Sequence, residues 1–173
     1  MKLINCMLSL FVLSNTLFAQ DTISMNDLTL TFENSNPIWL ESDTQEKITG
    51  FAVDYDGNNT ISLLGYFENG VGIYDKSYHE NGVMSSVVNY DIEGRMTDFY
   101  GEWETSGMIK SEGYYLEGEK TGIWKFYKNE KLAEMGEYLE SKRVGVWKYF
   151  DLNGTLIKNA YYENDHLVKV EEF

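Results

Sequence analysis

Cysteine and histidine are almost absent from this 173-residue chain, which has one cysteine, Cys6, and two histidines, His79 and His166. A single cysteine excludes internal disulfides and thiolate metal sites, and the two histidines lack the spacing typical of zinc ligands. No Gly-x-Ser-x-Gly motif marks a serine nucleophile. We therefore predict that the protein is not an enzyme, with no catalytic residues, no metal site and no cofactor.

Basic residues are also scarce. The chain has 14 Lys and Arg against 28 Asp and Glu, a formal net charge of −14. Such a charge repels nucleic-acid phosphates and anionic lipid headgroups. We predict that neither nucleic acid nor an anionic membrane is a partner, and that a protein, particularly a basic one, is.

Long apolar runs are missing except at the N terminus. Residues 3–18 are mostly apolar, follow Lys2 and precede Ala19-Gln20, a pattern typical of a secretory signal peptide. We predict a signal peptide at residues 1–19, cleaved near Ala19-Gln20, and export to the periplasm or the extracellular space. Because no later segment approaches the roughly 20 apolar residues of a membrane helix, we predict no transmembrane segment.

Residues 20–48 differ in pattern from the rest of the chain. Leu28, Leu30 and Phe32 alternate with polar residues, which indicates a half-buried strand. We predict that this strand ends in a break at Asn34 to Pro37, which includes the only proline of the chain. Residues 38–40 are predicted to form a second short strand. We interpret 20–48 as an N-terminal β cap, since repeat arrays need atypical ends to cover their hydrophobic faces.

Residues 49–173 contain about five repeats of 23 to 25 residues. Two aromatic ladders recur, one at Tyr66, Tyr90, Tyr114, Tyr138 and Tyr161, the other at Tyr55, Tyr78, Trp103, Tyr127 and Phe150. Turns are predicted four residues after each ladder, at Gly70, Gly94, Gly118, Lys142 and Asp165 and at Asn59, Gly82, Gly107, Lys131 and Gly154. Each repeat therefore consists of two strands with a turn at either end.

The same pattern gives the fold class. No segment shows the 3.6-residue apolar spacing of a helix, and the runs between turns have the length and composition of strands. We predict an all-β, single-domain array of antiparallel β-hairpins that forms an elongated meander sheet. Aromatic residues make up 15% of the chain, and their large buried area would stabilise so thin a sheet.

The spacing of Tyr114, Gly118, Gly122, Trp124 and Tyr127 resembles the MORN repeat in its bacterial variant, which also occurs in YwqK-type antitoxins. The resemblance covers about residues 50–173. It implies stacked β-hairpins and a role in protein contacts, scaffolding or membrane-lipid association, the last of which the acidic charge disfavours, and it implies no catalysis. The residues assigned to the repeat are Tyr66, Tyr90, Tyr114, Tyr138, Tyr161, Gly118, Gly122, Gly145 and Gly154.

The best-formed repeats carry the candidate interaction surface, because aromatic residues are enriched where proteins bind one another. Its residues are Trp124, Lys125, Tyr127, Trp147, Lys148 and Phe150. The two tryptophans are also interpretable as a purely structural ladder. We expect an exported, non-enzymatic repeat protein that presents a β-sheet surface to another protein; the alternative is an antitoxin or immunity-type inhibitor of a basic toxin.

Two small-ligand hypotheses stay open. An aromatic platform of this kind suits an envelope glycan. The segment Asp54 to Asn59 places oxygen donors at alternate positions, as calcium loops do. Its glycine, however, is in the fourth position where a calcium loop has it in the sixth, and a turn between hairpins accounts for the segment equally well.

Overall fold

The computed structural model describes residues 22–173, so the predicted signal peptide lies outside the described residues. This part of the chain is almost entirely β-strand, with one turn of 3-10 helix at Met25–Asp27 and no α-helix. The strands are β1 (Thr22–Ser24), β2 (Leu28–Glu33), β3 (Asn36–Glu41), β4 (Gly50–Tyr55), β5 (Ile61–Glu68), β6 (Val71–Tyr78), β7 (Met84–Tyr90), β8 (Met96–Trp103), β9 (Ile109–Leu116), β10 (Glu119–Lys128), β11 (Lys131–Leu139), β12 (Lys142–Phe150), β13 (Leu156–Glu163) and β14 (His166–Glu172).

Twelve of these strands form one sheet. From β4 to β14 each strand pairs with the next in antiparallel orientation, and β1 adds to β4 in parallel. The prediction of an all-β meander of antiparallel hairpins is therefore confirmed. Within residues 22–173 no helix has the length and apolar character needed to span a membrane.

The strands β2 and β3 form a separate hairpin. It turns at Asn34 and Ser35, both with positive φ, as two-residue hairpin turns require. The predicted break was too long, since Pro37 is the second residue of β3. The hairpin and the 3-10 turn pack on the first strands of the large sheet through a small core of Ile23, Met25, Leu28, Trp39, Ile48, Ala52 and Phe67.

Two predicted turn positions are wrong. Lys131 and Lys142 are the first residues of β11 and β12, while the turns before them are Asn129–Glu130 and Glu140–Ser141. All four turn residues have positive φ. The tight turn before β11 replaces the longer loop that contains Asn59, Gly82, Gly107 or Gly154 in the other repeats. The position predicted at Lys142 is displaced by one residue, because Tyr138 corresponds to Tyr115 and not to Tyr114.

The longer loops share one hydrogen-bond pattern. The Asp56 carboxylate accepts bonds from the backbone N–H groups of Asn58 and Thr60 at 2.8 and 2.9 Å. Asp151 accepts from Asn153 and Thr155 in the same way, at 2.8 Å each. The segment considered for calcium thus has its central carboxylate engaged by the loop backbone. Across residues 22–173 no group of three or more His, Cys, Asp or Glu side chains is arranged to hold a metal ion.

The large sheet has two faces, because successive strand residues point to opposite sides. We call the side that carries Trp124 and Trp147 the tryptophan face. The cross-strand pairs Gly65–Asp75, Asp75–Val88, Tyr100–Gly113, Trp124–Gly136 and Trp147–Ala160 lie on it. The β2–β3 hairpin covers the tryptophan face at the N-terminal end of the sheet. The other side is called the opposite face.

Candidate interaction surface

The tryptophan face of the later repeats is filled by a continuous stack of rings. Tyr100 stacks on Trp124 with centroids 5.6 Å apart, Trp124 on Phe126 at 5.9 Å, and Phe126 on Trp147 at 6.2 Å. Each tryptophan is only 1% exposed. The rings therefore bury one another, which replaces the second layer that a sheet normally packs against.

Tyrosines meet these indoles edge to face. Tyr115 lies 5.3 Å from Trp124 at an interplanar angle of 88°, and Tyr138 lies 5.0 Å from Trp147 at 85°. Tyr162 meets Trp147 at 6.3 Å and 80°. Stacked and edge-to-face pairs are the favoured geometries of aromatic rings and stabilise by about 0.5–1.5 kcal/mol each beyond burial.

Glycine makes room for each indole. A Cβ atom at Gly113 would lie 2.3 Å from ring atoms of Trp124, and one at Gly136 would lie 2.3 Å from ring atoms of Trp147. Trp147 also pairs with Ala160. The sequence assignment missed these small residues, although they recur two positions before Tyr115, Tyr138 and Tyr162.

Cationic side chains lie over the rings. The Lys120 ammonium is 4.2 Å from the Trp124 centroid, and the Arg143 guanidinium is 4.2 Å from that of Tyr162. Burial lowers the pKa of Lys120, and the nearby Glu102 carboxylate raises it. Both side chains contribute cation–π contacts and shield the ring stack from water.

The first predicted aromatic ladder does not lie on one face. Tyr138 packs in the tryptophan stack, but Tyr114 is 52% exposed on the opposite face beside Phe99. Tyr161 also lies there and donates a hydrogen bond to Glu171 at 2.6 Å. A shift of one residue reverses the face of a strand residue, so the inward-facing equivalents are Tyr115 and Tyr162.

The two earliest tyrosines of that ladder also lie on different faces of the sheet. Tyr66 stacks on Tyr74 at 5.6 Å, on the opposite face. Tyr90 lies on the tryptophan face and donates a hydrogen bond to the Asp75 carboxylate at 2.6 Å. Burial, followed by the bond to this carboxylate, raises the pKa of Tyr90 far above its usual value.

The six candidate interaction residues are divided between the two faces. Trp124 and Trp147 are buried, so neither ring can contact a partner in this structure. Lys125 and Tyr127 lie on the opposite face, where both donate to the Glu112 carboxylate, at 2.8 and 2.9 Å. That hydrogen bond raises the pKa of Lys125 and lowers the pKa of Glu112.

The remaining two candidates belong to β12. Lys148 pairs with Met135 and Asn159 and is exposed on the opposite face. Phe150, at the position 23 residues after Tyr127, is half-buried at the end of the strand. Of the six candidates, Lys125, Tyr127, Lys148 and Phe150 therefore lie on the opposite face, while the two tryptophans are buried; an interaction surface at these residues stays a prediction.

An exposed apolar row on the opposite face was not recognised in the sequence. Its members lie along β9 to β13 and are between 41% and 59% exposed. They are Tyr114, Leu116, Ile123, Leu139, Val146 and Ile157. The signal was present in the Gly-Ile-Trp and Gly-Val-Trp triplets, in which the middle residue must face away from the tryptophan.

Gly122 and Gly145 shape this row. They have φ of +65° and +66°, a region that glycine adopts at low cost. Each sits where the strand register shifts, which leaves Ile123 and Val146 projecting from the sheet. Gly118 and Gly154, also assigned to the repeat, lie in turns with φ of +86° and +84°.

Comparison with known proteins adds little. No protein-family model matches the chain, and no curated protein matches it. Among solved structures, the crystal structure of accessory secretory protein 1, 2 and 3 in Streptococcus pneumoniae is similar over 64% of this chain and 20% of that one. At 12% identity and a TM-score of 0.36, this similarity carries no argument about the chain.

Proposed function

We propose that this chain is an exported, non-enzymatic repeat protein whose opposite face binds another protein. The observation that supports the proposal is the exposed apolar row of β9 to β13. Charged residues lie beside several of its members, since Ile123 pairs with Glu137 and Leu139 with Lys142. Exposed apolar side chains rimmed by polar residues are typical of protein contact sites. The tryptophan face of these later strands cannot serve in their place, since its rings are already packed against one another.

The chemistry of the partner follows from the charge. The chain has a net charge of −14, which attracts a basic protein over a long range. The exposed row itself is apolar, with Lys125 and Lys148 beside it. We therefore expect a partner surface that is apolar at its centre and belongs to a basic protein.

The second candidate function is an antitoxin or immunity-type inhibitor, in which that basic protein is a toxin. The same net charge favours it, and so does the resemblance to MORN-type antitoxins. Electrostatic steering speeds association and is screened by salt. An inhibitor of this kind would associate markedly more slowly at high ionic strength, whereas an association rate independent of salt would contradict it.

The apolar row is tested by two substitutions. Ile123→Glu and Val146→Glu are expected each to weaken binding of the partner recovered from the protein's own cells at least about tenfold. Folding should be unaffected, because both side chains project into solvent. Affinity is measured by calorimetry with the purified partner, and circular dichroism verifies the fold.

Ile92→Glu is the matched control. Ile92 is 63% exposed and lies in the loop between β7 and β8, outside the strands that carry the row. It should leave the affinity unchanged. If the double variant Ile123→Glu/Val146→Glu binds as tightly as the unmodified protein, the opposite face is not the contact surface.

A further inference from the structure

We propose that a cavity under the N-terminal hairpin binds an organic ammonium ion with a small apolar body. The cavity has a volume of about 320 Å³ and lies between the β2–β3 hairpin and the tryptophan face. Its rim is narrow where Pro37 of the hairpin approaches Gly94, since a Cβ atom on that glycine would lie 2.7 Å from the proline ring. Small-molecule sites begin at roughly this size, about 300 Å³.

The walls are mostly apolar and aromatic. Trp39 and Phe67 meet edge to face at 6.0 Å, and Tyr90 contributes a third ring. Leu63 and Val71 of the sheet add aliphatic surface. Aromatic rings attract cations as well as apolar groups, so this lining suits an organic cation better than a hydrated metal ion.

A single uncompensated carboxylate gives the cavity its polarity. Asp75 accepts the hydrogen bond from Tyr90 but takes part in no ion pair among residues 22–173. Burial raises the pKa of Asp75, and the Tyr90 hydrogen bond lowers it. A carboxyl group in apolar surroundings is stabilised by hydrogen bonds, by a positive group or by protonation. Tyr90 supplies a hydrogen bond to Asp75, and a positive group would stabilise the ionised form further.

The neighbouring cations are engaged elsewhere. Arg95 bonds Asp91 at 2.9 Å and Glu93 at 2.6 Å, which also neutralises the second acidic residue of the lining. Lys76 lies over the Tyr74 ring on the opposite face. No lysine, arginine or histidine lines the cavity within the described chain. The proposed ligand would supply the positive charge that the lining lacks.

The site selects by charge. An ammonium group would pair with Asp75 while its carbon chain contacts the rings and the aliphatic wall. A neutral alcohol of the same length would gain only the apolar contacts, and a carboxylic acid anion would be repelled. A free small amine and a lysine side chain of another protein share this chemistry.

Calorimetry on the mature chain at neutral pH tests the site with three probes of equal length. Hexylammonium chloride is expected to bind with one-to-one stoichiometry, 1-hexanol at least about tenfold more weakly, and hexanoate undetectably. This comparison uses the unmodified protein. Equal binding of hexylammonium and hexanol, or no binding of hexylammonium, would overturn the proposal.

Two aspartate variants locate the binding. Asp75→Asn is expected to abolish the preference for hexylammonium over hexanol, while Asp98→Asn, on an exposed aspartate of β8, should retain it. A preference that survives Asp75→Asn would overturn the assignment. Nα-acetyl-lysine amide then distinguishes the two sources of the ammonium group. An affinity equal to that of hexylammonium supports a lysine side chain of another protein, and a weaker affinity supports a free amine. The site is on the tryptophan face, so its failure would leave the protein-binding proposal standing.

Discussion

Replacing Trp147 with alanine is expected to lower the free energy of unfolding by about 3–5 kcal/mol, the usual range for a fully buried tryptophan. The side chain is 1% exposed and contacts Phe126, Tyr138 and Tyr162. No second layer formed by residues 22–173 covers these later strands, so the rings that lose the indole would be exposed to water. Urea denaturation followed by circular dichroism measures the loss.

Val146→Ala is the control for this substitution. Val146 is the preceding residue, on the opposite face, and is 41% exposed. Its removal should change the free energy of unfolding by only about 0.5 kcal/mol, as at most surface positions. A loss below about 1 kcal/mol for Trp147→Ala would show that the ring stack does not stabilise the sheet.

Gly136→Ala is expected to be nearly as damaging, with a loss of about 3 kcal/mol. The added methyl group would lie 2.3 to 2.5 Å from three atoms of the Trp147 ring, well inside van der Waals contact. The indole is held by rings on several sides, so it cannot move away without breaking its own contacts. Overpacking of this kind costs typically about 1–3 kcal/mol and occasionally more. The measurement is again urea denaturation.

Gly72→Ala provides the matched comparison. Gly72 is also a strand glycine, but a Cβ atom there would be 3.6 Å from the nearest atom, an ordinary contact. The substitution should be neutral or stabilise by up to about 1 kcal/mol, because alanine restricts the unfolded chain. If both alanine variants were equally stable, the close approach at Gly136 would be contradicted.

The arrangement of hairpins was predictable because it depends on local features. Turn residues recur every 23 to 25 positions, and the runs between them have strand composition. The period places strands and turns to within about two residues, as the errors at Lys131 and Lys142 show.

The face of each side chain was not predictable from the period alone. A strand reverses its faces with a shift of one residue, and Tyr114 and Tyr115 are adjacent tyrosines of which only the second packs on Trp124. The small residues at Gly113 and Gly136 would have resolved the choice. The cavity at Asp75 depends on how the hairpin lies on the sheet, a contact between distant segments that no sequence period encodes.

Comparing Tyr115→Ala with Tyr114→Ala tests most directly the claim that the two faces of the sheet have different roles. Tyr115 contacts Tyr100 and Trp124, at 5.6 and 5.3 Å. We predict that its loss lowers the free energy of unfolding by about 2 kcal/mol or more, and that Tyr114→Ala lowers it by less than about 1 kcal/mol. The reverse order would contradict the assignment of the faces, and with it the proposal that the opposite face is the one free to bind a partner.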